Sequence, residues 1–265
     1  MNNNKQPSYI VVIGASAGST KSVLELLAQP DANIDAAFFV VLHMAVLAAA
    51  RSFTVRLQEA SGLLCKLGAN GDIIEKGTVY VGSPGTHLVM KEGKIILGEG
   101  PTENRWRPSI DALFRSAAAG YNSRVIGIIL GGMLQDGTAG MQAIKGCGGT
   151  CVVQDPEEAL YPDMIQSVMQ HVEVDYTVSL ECMGALLKEK TSLRVPHPVA
   201  VPPEISLEAG IAVHTMVDMD VLKELGIHSI FSCPDCSGGL WEMKKDNLVR
   251  YRCHTGHTYT QNEYA

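Results

Sequence analysis

The chain has 265 residues, 46% apolar and 18% charged, with 21 Lys and Arg against 28 Asp and Glu for a formal net charge of −7. That length suits one large domain or one large and one small, and the low charged fraction suits strands buried on both faces. Disorder and collagen-like architectures are excluded, and the acidic balance disfavours general affinity for nucleic acid or an anionic membrane, leaving protein or small molecule as the expected partner.

In chain order, a strand is expected over Tyr9 to Ile13. Lys5 before it and Ala15-Ser16-Ala17 behind it imitate a secretory leader, but this apolar run is too short for one. A helix follows at about residues 20–28, then a strand at Phe38 to Leu42. The apolar stretch Ala36 to Ala50 spans 15 residues broken by His43, short of the roughly 18 of a membrane span, so no membrane insertion is expected. Next come a helix at 48–60, a strand at Val79 to Val81 and a helix at 109–119. In this last helix Ile110, Leu113, Phe114, Ala117 and Ala118 form one apolar face. A strand at Arg124 to Leu130, a helix at 138–147, a strand at Thr150 to Gln154 and a helix at 179–189 complete the series. Between the last two, Asp155-Pro156-Glu157-Glu158 opens a helix of about one turn before Pro162. This alternation predicts an α/β fold, a doubly wound, mostly parallel sheet with helices on both faces, whose ligands bind at the carboxyl ends of the strands.

Residues 1–190 form the expected main domain. Four prolines between Thr191 and Pro203 mark a linker, taken as 191–226, with a weak helical stretch near Thr215 to Leu225. Residues 227–265 form a cysteine-rich tail. There Cys233-Pro234-Asp235-Cys236 is followed after 16 residues by Cys253, then His254 and His257, the spacing of a zinc ribbon. Cys233, Cys236, Cys253 and His257 are the expected ligands of a structural zinc, with His254 the competitor for the fourth place. So small a tail would draw most of its folding energy from the metal. Seven cysteines so distributed read as metal ligands and buried thiols, not disulfides, which suggests the cytoplasm. Cys65, Cys147, Cys151 and Cys182 are expected to be buried.

The first strand runs into Gly14-Ala15-Ser16-Ala17-Gly18. A dinucleotide site would want a glycine where Ser16 stands and an acid where the second strand ends in His43. The alternative, G-x-S-x-G, is matched letter for letter and exposes a serine on a sharp strand-to-helix turn. A serine needs a base and the base an orienting group. His43, at the end of the second strand, is the candidate base, and Asp136, just past the strand Arg124 to Leu130, the candidate orienting acid. The order serine, histidine, aspartate differs from that of α/β-hydrolases.

At these residues the chain resembles the catalytic domain of the chemotaxis protein-glutamate methylesterase (CheB) family, over roughly residues 8–190. The resemblance is carried by Val12-Ile13-Gly14-Ala15-Ser16, Val41-Leu42-His43, Val79-Tyr80-Val81 with Pro84-Gly85 and His87-Leu88, Arg107-Pro108-Ser109-Ile110-Asp111 with Leu113-Phe114, Gly132-Met133 with Asp136-Gly137, and Gln154-Asp155-Pro156. It implies hydrolysis of glutamate γ-methyl esters, and deamidation of particular glutamines, on the cytoplasmic helices of methyl-accepting receptors, with no cofactor for catalysis. It also implies Ser16 as nucleophile, His43 as base, Asp136 as orienting acid, and the Met133 region with the amide of Ala17 bordering the oxyanion site. His87, Arg107 and Asp111 share the resemblance without an expected catalytic role. The family's usual phosphoacceptor receiver domain is not expected here, because the catalytic strand begins at Tyr9. A second reading is a protein-interaction module whose zinc ribbon docks a receptor methyltransferase or another signalling protein. A third, the weakest, is nucleotide binding at the glycine turn.

Overall fold

The computed structural model describes residues 5–16, 18–214, 217–245 and 247–264. Its first half runs β1 (Tyr9–Ala15), α1 (Thr20–Leu27), β2 (Ala36–Leu42), α2 (Leu47–Ala60), β3 (Leu64–Leu67), β4 (Thr78–Val81), β5 (His87–Lys91), β6 (Lys94–Gly98), α3 (Ile110–Tyr121) and β7 (Val125–Ile129). Then follow α4 (Thr138–Gly146), β8 (Thr150–Gln154), α5 (Asp163–His171), β9 (Tyr176–Val178) and α6 (Leu180–Ser192). Seven of these strands form one sheet in the order β3-β4-β2-β1-β7-β8-β9, and every neighbouring pair is parallel. The expected α/β class and parallel sheet are therefore what the chain adopts.

Both central strands, β1 and β2, are buried along their whole length, because their β-branched and aromatic residues serve two cores at once. Ile10, Val12, Phe39 and Val41 face α3, α4 and α5. Val11, Ile13, Phe38 and Val40 face α1, α2 and α6. This period-two division is what a double-sided sheet requires. The chain winds outward from β1 through β2 in one direction and from β7 through β8 in the other, so the carboxyl ends of β1 and β7 flank the switch point where a crevice opens.

Elements not expected from the sequence are the short edge strands β3 and β9, helix α5 and the antiparallel hairpin β5–β6. Pro162, read as a helix stop, is the residue from which α5 starts, while Pro156–Glu158 forms a single 3₁₀ turn capped by the Asp155 carboxylate. Of the four thiols expected to be buried, Cys65, Cys147 and Cys151 are, but Cys182 is exposed, since it lies on the outer side of α6.

Residues 191–226, read as a linker, carry two helices, α7 (Pro203–Ile211) and α8 (Met219–Leu225); Thr215 and Met216 of the expected helical stretch lie outside the described residues. The chain before α7 is strapped down at Asn122, whose amide bonds both the carbonyl and the N–H of Val199 at 2.7 Å. Beyond α8, β10 (Ile227–Ser232), β11 (Gly239–Lys245), β12 (Leu248–Cys253) and β13 (Thr258–Thr260) form a four-stranded sheet of antiparallel pairs, ending in the one-turn α9 (Gln261–Tyr264). No helix among the described residues is long and apolar enough to cross a membrane.

A buried ionic cluster joins this sheet to the main body. Arg250 of β12 grips Glu208 of α7 with two bonds of 2.7 and 2.9 Å. Arg252 reaches Glu103 at 3.3 Å and Glu208 at 3.4 Å, and Arg115 of α3 also pairs with Glu103. Burial alone would raise the Glu103 carboxyl, but Arg115 and Arg252 outweigh it and hold Glu103 down at about 2. A depressed carboxyl adds stability that is complete above its unfolded value, near 4.5, and is lost as pH falls toward 2. Urea midpoints are therefore expected to drop between pH 5 and pH 3, and to drop less in Glu103→Gln. Equal drops in the two proteins would mean that Glu103 is not paired in solution.

Candidate active site

The carboxyl ends of β1, β2 and β7 each deliver one polar side chain to the switch-point crevice. Ser16 follows β1 directly, and its amide bonds the carbonyl of Gly131 at 3.2 Å, tying the turn to the loop after β7. Gly18 completes the turn at φ +82°, a backbone conformation that a side chain would strain. His43 follows β2, its amide held by the Ala15 carbonyl at 3.2 Å. Asp136 lies in the loop between β7 and α4.

Adjacent parallel strands put the three within reach of one another. His43 Nδ1 is 3.0 Å from Ser16 Oγ, and His43 Nε2 is 2.8 Å from Asp136 Oδ2. The His43 and Asp136 side chains are each 2% exposed, so water competes little for these bonds. Each ring nitrogen has one partner. With Asp136 ionised, Nε2 carries the proton and Nδ1 is left as an acceptor facing the serine hydroxyl. The His43 ring also stacks on Trp106, with centroids 4.4 Å apart and planes within 5°, an arrangement that stabilises a positive imidazolium.

Asp136 receives five donors. Oδ1 accepts from Asn104 Nδ2 (2.8 Å), Ser109 Oγ (2.9 Å) and the Asp111 amide (3.1 Å), and Oδ2 from His43 and the Ile110 amide (2.8 Å). The two amides belong to the first turn of α3, so the carboxylate sits on a helix N-terminus. Burial pushes Asp136 up, but the His43 bond and these donors hold it below the ordinary carboxylate range. Asp111 behaves oppositely. Burial first, and the charge of Asp136 next, raise it to about 6, while Asn104 Nδ2 bridges to its Oδ2 at 2.8 Å and the Gly140 amide to its Oδ1 at 2.6 Å.

Sequence reasoning did not find Asn104 or Trp106. Both lie in an irregular loop, where no periodicity singles a residue out; residue 104 has a left-handed backbone (φ 52°), which asparagine tolerates. Of the residues matched without a role, His87 is fully buried, accepting from the Ser109 amide and bonded to the Pro101 carbonyl, and burial lowers its pKa. Arg107 bonds the Gly100 carbonyl at 2.9 Å. Both hold the loop leading into α3.

Met133 stands beside the serine, half exposed, one residue after Gly132. Ala17 lies outside the described residues. Gly132 packs so tightly that an added Cβ would lie 2.2 Å from Met164 Sδ and 2.6 Å from Ser16 Cβ. Met164 is fully buried, so Ser16 would have to yield. Gly132→Ala is expected to slow labelling of Ser16 by a serine-directed phosphonate roughly 100-fold and to destabilise by about 1–3 kcal/mol. Labelling at the native rate would show that the turn tolerates the displacement.

In the C-terminal sheet, Cys233 and Cys236 lie between β10 and β11, Cys253 ends β12, and His257 immediately precedes β13. Their ligand atoms all lie within 4.8 Å of one another. Cys236 Sγ is 3.6 Å from Cys253 Sγ, and His257 Nδ1 is 3.7 and 3.4 Å from the sulfurs of Cys233 and Cys253. A tetrahedral zinc with Zn–S near 2.3 Å places its ligands about 3.5–3.8 Å apart, so the residues fit that metal. His257 Nε2 lies 3.9 Å from the Asp235 carboxylate, while Nδ1 is the ring nitrogen that faces the sulfurs. His254 stands outside this group, its ring against Gly238.

The chain matches the CheB methylesterase family over residues 11–187. It is 31% identical over 189 residues to protein-glutamate methylesterase/protein-glutamine glutaminase 1 of Methanospirillum hungatei, covering 68% of this chain and 55% of that protein. It is 33% identical over 184 residues to the protein-glutamate methylesterase/protein-glutamine glutaminase of Methanosarcina barkeri, covering 66% and 50%. The chain thus spans about half the length of these curated relatives. Among solved structures, the CheB methylesterase catalytic domain of Thermotoga maritima superimposes with a TM-score of 0.66 at 32% identity, covering 69% of this chain and 98% of that one. With two thirds of its length in this match and the same fold beneath it, the chain belongs to the CheB methylesterase family.

Proposed function

We propose that this chain is a cytoplasmic serine esterase that hydrolyses glutamate γ-methyl esters, and deamidates particular glutamines, on the cytoplasmic helices of methyl-accepting chemotaxis receptors. The observation that carries this reading is the unbroken hydrogen-bond series Ser16–His43–Asp136 at the switch point of the sheet, in a chain whose relatives are named for both activities. Ser16 Oγ attacks the ester carbonyl while His43 Nδ1 takes its proton. The resulting imidazolium, held by Asp136 and stacked on Trp106, returns the proton to the departing methanol. Water, activated by the same nitrogen, then hydrolyses the acyl-enzyme and frees Ser16. Backbone donors of the Met133 loop border the developing oxyanion, a kind of contact worth about 3–4 kcal/mol. Deamidation follows the same course with ammonia as leaving group.

A polypeptide substrate is supported by the rim of the crevice. Met133, Leu134, Leu160 and Tyr161 are exposed beside the serine, and Val46 and Leu47 beside the histidine. This apolar border suits the face of an amphipathic helix. The ribbon-docking reading has less support, because a site that had lost its chemistry would have no reason to keep five donors on a buried carboxylate. For the tail we propose a structural zinc held by Cys233, Cys236, Cys253 and His257, and residues 1–190, 191–226 and 227–265 as catalytic domain, connecting segment and zinc ribbon. The test of the function is methanol release from a methylated receptor cytoplasmic fragment. Folded, metal-loaded protein that releases none would transfer the reading to another substrate or to the interaction module.

A further inference from the structure

Residues 101–109, between β6 and α3, touch the active site on one side and the cysteine knuckles on the other. Toward the site, Trp106 stacks on His43, and Asn104 Nδ2 bonds both Asp136 and Asp111 at 2.8 Å. Toward the knuckles, the Asn104 amide donates to the Thr258 carbonyl at 2.8 Å and the Thr258 amide to the Thr102 carbonyl at 3.4 Å. The Glu103 carboxylate accepts from Arg252, and the Thr102 hydroxyl donates to Asp235 at 3.3 Å. These anchors are chain neighbours of the metal-binding cluster. Arg252 precedes Cys253, Thr258 follows His257, and Asp235 lies between Cys233 and Cys236.

The loop does not hold this shape by local preference. Asn104 and Arg105 both have left-handed backbones, at φ 52° and 65°, so docking against the sheet must maintain them. Around the knuckles the sheet has a small apolar cluster, Cys233, Leu240, Tyr251, Cys253 and Tyr259, two of its members being thiols of the proposed zinc site. We propose that Asn104 and Trp106 are positioning residues for Asp136 and His43, and that the C-terminal sheet, closed by zinc, sets them, so that metal loading of the tail and assembly of the Ser16 site are coupled. The proposal rests on the reading of Ser16, His43 and Asp136 as the reacting groups.

The coupling has a physical cause. When the metal leaves, β12 and β13 lose their closure, and Arg250 and Arg252 withdraw from Glu208 and Glu103. Buried carboxylates stripped of partners do not stay buried, so the loop relaxes toward water and carries Asn104 and Trp106 away. Asp136 keeps its donors from Ser109, Ile110 and Asp111, and the sheet beneath is untouched. The result is a misaligned catalytic pair rather than an unfolded domain.

The experiment reads His43 through its stacking partner. The chain has two tryptophans, and Trp241→Phe leaves Trp106 as the sole indole. A protonated imidazole stacked on an indole quenches its emission, so Trp106 fluorescence follows the titration of His43 while the stack holds. The full-length protein is compared zinc-loaded and after stripping with a chelator, alongside zinc-loaded Asn104→Ala. Stripping is expected to abolish the Trp106 titration and to slow phosphonate labelling of Ser16 about 10- to 100-fold, with both restored by added zinc. Asn104→Ala is expected to slow labelling similarly while retaining one zinc per chain. An unchanged titration and labelling rate after stripping, or failure of the chain to bind zinc, would overturn the proposal. Zinc-loaded protein inert toward both phosphonate and methyl ester would count against the esterase reading, and the Trp106 titration would then decide the coupling by itself.

Discussion

Ser16→Ala is expected to lower methanol release from a methylated receptor fragment by roughly 10⁴- to 10⁶-fold, and to eliminate covalent labelling by a phosphonate, while the protein stays folded. The substitution removes one oxygen. Among the described residues that oxygen makes one hydrogen bond, to His43 Nδ1, from a side chain already in a tight turn, so the stability change should be within about 1 kcal/mol. The catalytic change is large because, among the described residues, Ser16 carries the hydroxyl that faces the candidate base, His43 Nδ1. Cys182 is the only thiol of the main domain that is exposed, and it lies on α6, away from the loops that carry the crevice. Residual release would come from the oxyanion donors and from His43 acting on water directly. Release within tenfold of native would mean that Ser16 is not the nucleophile, and the hydrogen-bond series would need another explanation.

Much of this site was legible in the sequence because parallel sheets impose where strand ends meet. Once Tyr9 to Ile13, Phe38 to Leu42 and Arg124 to Leu130 read as strands of one sheet, the residues just after them had to share an edge. Periodicity also marked α3, whose apolar face from Ile110 to Ala118 packs on the sheet. The hairpin β5–β6 was missed because its strands flank a two-residue turn at Glu92 and Gly93 and pack their apolar residues on α3, outside the main sheet. Helix α7 was hidden by the prolines leading into it, read as linker composition, and by Glu208, whose burial makes sense only with Arg250 and Arg252 from another element. Asn104 and Trp106 escaped for a related reason. Their positions depend on Thr258 and Arg252, about 150 residues away in sequence, and no local pattern announces such contacts.

Asp136→Asn is expected to reduce turnover about 10⁴-fold and, unlike Ser16→Ala, to destabilise the fold as well. The carboxylate meets five donors with two oxygens, whereas an amide has one oxygen and one NH₂ group. If the NH₂ takes the place of Oδ2, it faces the Nε2–H of His43 and the Ile110 amide. The histidine must then move its proton to Nδ1, and in that tautomer it cannot accept from Ser16. If the NH₂ takes the place of Oδ1, it opposes Asn104, Ser109 and the Asp111 amide. Each buried donor left unpaired costs about 1–3 kcal/mol, so neither orientation is free of penalty. Removing the charge also relieves Asp111, whose carboxyl stands raised to about 6 partly by its neighbour, and that relief offsets a fraction of the loss. The two effects separate experimentally. Turnover per folded molecule measures the tautomer, and the urea midpoint measures the unpaired donors. Turnover within tenfold of native with an unchanged midpoint would mean that Asp136 neither orients His43 nor caps α3, and both roles assigned to it here would fall together.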